Sequence, residues 1–584
     1  MDNQQHAKKR RRKKKKENSV AKRIIPVLIA IVLIIVVFAV SFGKQILDKY
    51  SYSKEKYDMT VYFENKSDSD IAIILQDTFM QDRAFLYNGV YYVTKEFSDT
   101  YFNDRFFWDK TENLLIYTFP EEIVACRIDS DVVLNASGEK NLGYIPVKSN
   151  GDDIIIALDY LKDYANFSYE AFTDPGRIQI YTEWPERTVA TVKKDTAVRH
   201  RGGVKAEILK EVKAGDSLIV IEQMEEWSKV KTNDGIIGFV ENKRLSNIMP
   251  EQPIPVNSYV PPVYSDLCRD YKINMGWMVV ASASGNDTFA EVYNSNSGMN
   301  VISPTWFGLT DSDGNYESFA TKTLVDKVHN MGMEIWPTFG NIDHSSEVDM
   351  NQVLNGLSNR QRLINNLVAE ALDLGIDGIN VDIEMLPVEA GKAYSEFIRE
   401  LSVACRKNNL VLSIDNYVPI GNTEYYDRKT QGEVADYVVI MGYDEHYAGS
   451  AEAGSVASIG YVETGIANTL KDVPARKIIN GIPLYTRVWD TDGADVTSRA
   501  FDMPSANEWI GNHGVALSWD EGTCQNYGEY TSDGVLHQIW MEDAESIRVK
   551  LNVMKTYDIA GAAFWRMGYE TSDIWEVVGE YMNN

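Results

Sequence analysis

From residue 263 onward, eight apolar, β-rich runs alternate with amphipathic stretches: NMGWMVV, MNVISPTWF, MEIWPTF, IDGINVDIEML, LVLSIDNYV, DYVVIMGYD, KIINGIPLY and GAAFWRM. Strands that are apolar on both faces need cover on both sides, and crossover helices supply it, so the alternation predicts a parallel sheet. Eight such units within residues 263–584 predict a (β/α)8 TIM barrel. In that architecture the chemistry gathers at the C-terminal ends of the strands.

The fourth run carries an unusual load. In GIDGINVDIEML, side chains two apart share a face, so Gly378, Asn380, Asp382 and Glu384 lie on one side and Ile379, Val381 and Ile383 on the other. Neighbouring carboxylates repel, and burial raises the pKa of the deeper one, which turns an acid into a proton donor at neutral pH. That pattern suits general acid catalysis. Asn380-x-Asp382-x-Glu384 also has the spacing of a calcium loop, but no glycine follows to make the turn and the interleaved residues favour strand. A solvent-facing strand is the other alternative, though such strands rarely carry two acids without bases among them.

The remaining strand ends add suitable groups. The sixth run ends with Met441, Tyr443, Asp444 and His446, the seventh with Tyr485, Arg487 and Trp489, and the eighth carries Trp565. Rings stack on the apolar faces of a sugar while carboxylates and phenols bond its hydroxyls, so the joint placement points to a glycan site. Each ring taken singly is ordinary core packing. His344 falls in a loop after the third run, and contact of Glu445 or His446 with substrate is left open.

The rest of the chain bears on location. The net charge of −27 hides an asymmetry: residues 1–23 hold eleven bases and two acids, a net of +9, leaving −36 for the remainder. An acidic body excludes nucleic-acid binding, which needs bases on the folded surface. Residues 24–42, IIPVLIAIVLIIVVFAVSF, form an uncharged run of nineteen. About 20 such residues span a bilayer as a helix, and preceding bases keep the N-terminus in the cytoplasm. A single-pass anchor in the cell membrane is expected, with 1–23 as a basic cytoplasmic tail and everything from 44 onward outside. The apolar part of a cleaved signal is about 7–15 residues, shorter than this run. Cys126, Cys268, Cys405 and Cys524 are widely spaced, fit no metal motif and are read as small hydrophobes without a disulfide. Residues 44–185 show short strands between Asn, Gly and Asp turns and are read as an α+β stalk region. Residues 187–247 are short strands punctuated by Gly203, Gly215 and Asn233-Asp-Gly235, which predicts a small β-barrel. Residues 248–262, with five prolines, read as a stiff linker.

Three resemblances sharpen these expectations. DGINVDIE, Asp377 to Glu384, is similar to the DGxDxDxE signature of glycoside hydrolase family 18, the chitinase-like barrels, and the fourth, sixth, seventh and eighth runs follow that family's order across the domain. Two departures stand out. Asn380 replaces the first Asp of the DxDxE core, which in the family shares a proton with the second, although the bacterial wall- and spore-associated branch often has Asn there. The third run has WPTFGN in place of Ser-x-Gly-Gly. The resemblance implies substrate-assisted hydrolysis with retention. Glu384 would be the acid, Asp382 the group that orients the substrate acetamide, Tyr443 its hydrogen-bond donor and Trp565 the floor under the sugar. Asn380, Met441, Asp444, Tyr485 and Arg487 would line the substrate site, with no metal or other cofactor. The expected partner is an N-acetylated glycan: peptidoglycan, given the anchor, or alternatively chitin. A lectin-like, non-catalytic barrel is the remaining alternative, but such members commonly lose the terminal Glu that this chain keeps. Residues 187–247 resemble a bacterial SH3 domain through Gly215, Trp227, Gly235, Gly238 and Phe239, which implies cell-wall peptide as a ligand, with Trp227 read as core. The segments starting at Leu86 and Gly143 resemble the stalk module of copper amine oxidases.

Overall fold

The N-terminal apolar run is helical from Ser19 to Tyr50, and Ile24–Tyr50 is long and apolar enough to cross a membrane. The computed structural model describes residues 19–255 and 259–583, with side chains from residue 24. Residues 1–18 of the expected cytoplasmic tail and 256–258 of the expected linker lie outside the described residues.

The chain forms two compact units, residues 19–93 with 166–255, and residues 94–165 with 259–583. The segment expected as one stalk region, 44–185, is thus divided between them. In the first unit, Asp70–Leu75 pairs in parallel with Arg177–Tyr181 and antiparallel with Thr78–Tyr87. The SH3-like part is a seven-stranded antiparallel sheet from Ile208–Val212 at one edge to Leu245–Glu251 at the other. Its core draws on Ala190, Val192, Val198, Leu218, Val230 and Val240. Trp227 lies outside that core. It is half-buried over Gly202, where a Cβ would sit 3.4 Å from the indole. Leu245–Glu251 pairs with Arg187–Val192, so residues 248–251 extend the sheet rather than start the linker. Pro250 is accommodated because an edge strand has one side free of ladder bonds.

In the second unit, eight strand positions pair in parallel around a closed cycle. They are β1 (Ile273–Met278), β2 (Val301–Pro304 and Phe307–Leu309), β3 (Glu334–Ile335 and Thr338–Gly340), β4 (Gly378–Asp382), β5 (Val411–Tyr417), β6 (Tyr437–Met441), β7 (Ile478–Pro483) and β8 (Gly561–Trp565). The last pairs with the first, Ile273 opposite Gly561, which makes the ring TIM-barrel-like. Side chains alternate as the period of two requires. Met275, Trp277, Val301, Trp336, Val411, Val439 and Ile479 fill the interior. Ile302, Ile335, Ile379, Val381, Leu412 and Ile440 face outward into the layer of helices. Between β7 and β8 the chain inserts a five-stranded antiparallel sheet that begins at Tyr485–Asp492. Tyr485, Arg487 and Trp489 therefore stand on this insertion and not on the seventh barrel strand.

Residues 107–141 form a five-stranded antiparallel meander in the same unit. It packs on the helices Leu357–Leu374 and Gly391–Lys407 through buried polar contacts. The guanidinium of Arg360 lies against Glu400 at 2.8 Å and Asp109 at 3.6 Å, and stacks 4.9 Å over the Phe107 ring. Thr118 Oγ1 donates to Glu396 at 2.6 Å. All four cysteines are free: Cys126 and Cys405 are buried, and Cys268 and Cys524 are partly exposed.

Candidate active site

The period of two along β4 determines what faces inward. Gly378, Asn380 and Asp382 share the inner face while Ile379 and Val381 pack outward among the helices. β3 and β5 flank this strand, with Thr338 and Ser413 opposite Asn380 and Gly340 opposite Asp382. Glycine is required at 340 because a Cβ there would lie 2.9 Å from the Asp382 carbonyl oxygen.

Asn380 is fully buried and uses every polar atom it has. Its oxygen accepts from Trp277 Nε1 at 3.0 Å and Ser303 Oγ at 3.3 Å, and its amide donates to Ser413 Oγ at 3.0 Å and Asp415 Oδ1 at 2.8 Å. No oxygen of Asn380 is left for a cation, so the calcium-loop alternative has no geometric basis. Above it, Asp382 Oδ1 is buried without a hydrogen-bond partner. Burial, then the charges of Asp415 and Glu384, hold the Asp382 carboxyl well above the usual range. Burial pushes Asp415 up to about 8 despite the hydrogen bond from Asn380.

Glu384 is half-buried just past the end of β4. Its carboxylate accepts from the Tyr417 hydroxyl at 2.8 Å, and its main chain is clamped by Asn341, which receives its N–H and donates to its carbonyl, both at 2.9 Å. Burial raises its pKa, the Tyr417 hydrogen bond pulls it down, and the Asp444 charge adds to the rise. The result is an acid of raised pKa beside a second, deeper one, which is the equipment for general acid–base chemistry.

The aromatic residues meet around Trp277 of β1. Its ring makes edge contacts with Tyr443 at 6.4 Å and Trp565 at 5.9 Å, while its N–H reaches Asn380. Tyr443 contacts Tyr485 edge-on at 6.4 Å, and the Tyr485 hydroxyl donates to Asp444 at 2.5 Å. Asp444, Tyr485, Arg487 and Trp565, with Arg566 and Tyr569, line a cavity of about 590 Å³. Met441 is buried at the end of β6, opposite Tyr417 in register. The structure thus groups the expected residues, the acids on the barrel floor and the others along one wall. The loop residues are tied up elsewhere. Glu445 accepts the Ser458 N–H, His446 bonds the Ser455 carbonyl, and His344 pairs with Glu317.

Sequence reasoning missed Asp415, Tyr417, Asn341 and Trp277. Ser413, Asp415 and Tyr417 are two apart on β5, so the face rule applied to β4 would have found them. Asn341 closes the aberrant WPTFGN run, whose departure from the expected pattern was itself a signal.

A closed parallel ring with paired acids at one strand end and a ring-lined cavity beside them describes a glycosidase. Residues 273–570 match glycosyl hydrolases family 18, and the chain belongs to that family. Residues 194–246 match a bacterial SH3 domain. The cortical fragment-lytic enzyme of Bacillus subtilis (strain 168) is 28% identical over 240 residues, covering 40% of this chain and 56% of that protein. The chain therefore spans only about half the length of that relative. The uncharacterized glycosylase YvbX of the same organism is 27% identical over 293 residues, 48% of this chain and 84% of that protein. The spore cortex-lytic enzyme SleL of Bacillus cereus, a solved structure, is 22% identical with a TM-score of 0.47, covering 57% of this chain and 78% of that one.

Proposed function

We propose that this chain is a membrane-anchored glycosidase that works outside the cytoplasm and cleaves β-1,4 bonds next to N-acetylglucosamine in peptidoglycan. The observation that carries the reading is the pair of carboxyls at the end of β4, Asp382 with its Oδ1 buried without a partner and Glu384 with its pKa raised by burial against the pull of the Tyr417 hydrogen bond. Glu384 donates its proton to the leaving glycosidic oxygen. The substrate's own acetamide oxygen attacks the anomeric carbon and forms an oxazolinium ion, which Asp382 faces and stabilises. Tyr443 donates to the acetamide oxygen, and Trp565, braced edge-on by Trp277, supports the distorted ring. The ionised Glu384 then takes a proton from water, which opens the intermediate with retained configuration. Met441, Asp444, Tyr485 and Arg487 line the remainder of the site, and the cycle requires only the substrate and these side chains.

The basic segment ahead of the apolar helix supports an N-terminus in the cytoplasm. Wall glycan is favoured over chitin by that anchor, by the SH3-like domain with its half-exposed Trp227 as a site for wall peptide, and by the cortex-lytic names of the relatives. The strand-rich segments within 44–185 serve as a spacer of the amine-oxidase stalk type. The test is digestion of purified peptidoglycan and of chitin oligomers with the full chain in detergent, with products read by mass spectrometry. Muropeptides with reducing N-acetylglucosamine ends are the expected result. Chitobiose alone would move the substrate to chitin, and glycan binding without products would make the barrel a lectin.

A further inference from the structure

The floor of the barrel holds an acid that the family signature does not contain. Asp415 is on the inner face of β5, 2% exposed, and its Oδ1 accepts the Asn380 amide at 2.8 Å. The pattern of bonds explains why position 380 is an amide. The Asn380 oxygen faces two donors, Trp277 and Ser303, whereas its nitrogen faces a carboxylate and a hydroxyl. An aspartate there would set one oxygen against Asp415 in a dry interior. Asn380 and Asp415 are therefore a matched pair, and moving one acid by one strand leaves the number of acids on the floor unchanged.

We propose that Asp415 is the positioning residue that replaces the missing first Asp of the signature, holding the Asn380 amide through its Oδ1 and standing beside Asp382 on the inner face. The proposal rests on the glycosidase reading of Asp382. The titratable groups that bear on the pair are Glu384 at the end of β4, Tyr443 past β6 and Tyr394 on the helix Gly391–Lys407. Arg428 directs Nη1 and Nη2 to the carbonyls of Thr423 and Tyr417 and the Thr423 hydroxyl. With no ion pair to either among the described residues, two neighbouring carboxyls on the barrel's inner face resist ionising together. The charge of an ionised Asp415 would oppose that of Asp382, so Asp382 is the anion opposite the oxazolinium while Asp415 keeps its own proton. Asn380 holds the Asp415 carboxyl in place.

The decisive experiment compares wild type, Asp415→Asn and the swap Asn380→Asp/Asp415→Asn, each in two assays. In hydrolysis of a chitin oligomer or muropeptide, Asp415→Asn is expected to lose at least about tenfold in kcat with little change in KM, and to change the shape of the pH profile. The swap returns the acid to the signature position and is expected to recover most of that loss. The second assay, melting temperature against pH, needs no turnover. A carboxyl whose folded pKa lies above its unfolded value favours the folded state below the unfolded pKa and loses that contribution as pH rises through the folded one. Wild type should therefore lose stability between about pH 4 and 8, and Asp415→Asn should flatten that slope. An unchanged slope together with unchanged kcat, or a swap no better than the single variant, would overturn the proposal. A wild type inactive on both glycans would sink the glycosidase reading instead, while the melting comparison still decides whether Asp415 is a carboxyl that folding keeps protonated.

Discussion

Two clusters of acids are buried in the barrel unit, and they are built in opposite ways. Where the meander 107–141 meets the barrel helices, Asp109 and Glu400 close around Arg360, and Glu396 takes hydrogen bonds from Thr118 and Arg399. Each carboxylate there has a cation or several donors. On the barrel floor, Asp415 takes an amide hydrogen bond and Glu384 a hydroxyl one, none of the three acids has an ion pair among the described residues, and Asp382 Oδ1 has no partner. The first arrangement holds charge in place, because removing one partner strands another in a dry interior. The second leaves the acids without a paired cation, and burial raises the pKa of all three. Burial also pushes Glu400 up to about 7 despite Arg360, so what sets the floor acids apart is the missing cation rather than a raised pKa alone.

Breaking the structural cluster should have the largest effect. Arg360→Met leaves Asp109 and Glu400 facing each other without a cation, at a cost of about 3–5 kcal/mol. Thermal melts should show a fall of many degrees, while turnover per folded molecule is unchanged. If stability stays level, Arg360 is dispensable and the contrast drawn above fails. Glu384→Gln addresses the other cluster, with at least about 100-fold lost in kcat, near 2.7 kcal/mol of barrier. Its melting temperature and affinity for N-acetylated oligosaccharide should hold. Retained turnover would show that the proton comes from elsewhere.

The smallest effect sharpens the picture most. Tyr417→Phe deletes the hydrogen bond that favours ionised Glu384, so the Glu384 pKa should rise. Because the acid form is the one that reacts first, the alkaline limb of kcat/KM should move to higher pH, and the maximal rate should fall by about tenfold, in keeping with loss of a hydrogen bond to a charged group. A pH–rate profile measures both. A limb that stays in place would mean Tyr417 only supports the loop at Met385, whose N–H its hydroxyl also accepts at 3.2 Å.

Much of the site was readable because strands obey a simple period. The alternation in GINVD put Asn380 and Asp382 inside and Ile379 and Val381 outside, where the structure has them. Asp415 and Tyr417 lie on the same kind of pattern one strand later, and went unread because a single acid in LSIDNY looks ordinary until its neighbour in the sheet is known. Tyr485 and Arg487 read as part of β7 because IINGIPLYTRVW continues in strand-like residues and gives no sign of the point at which Leu484 takes the chain out of the barrel. The division of 44–185 between two units was likewise invisible, since it depends on which surface Phe107 and Asp109 find to pack against.

By itself the sequence determined the parallel alternation, the apolar helix behind a basic segment, and the inward face of β4, since each follows from local period and composition. The tertiary structure alone decided that Trp277, Asn341, Ser303 and Asp415, up to 138 positions apart in number, converge on that face. Ring closure pairs β8 with β1 and sets β5 beside β4, and only that adjacency turns a lone aspartate into the partner of another.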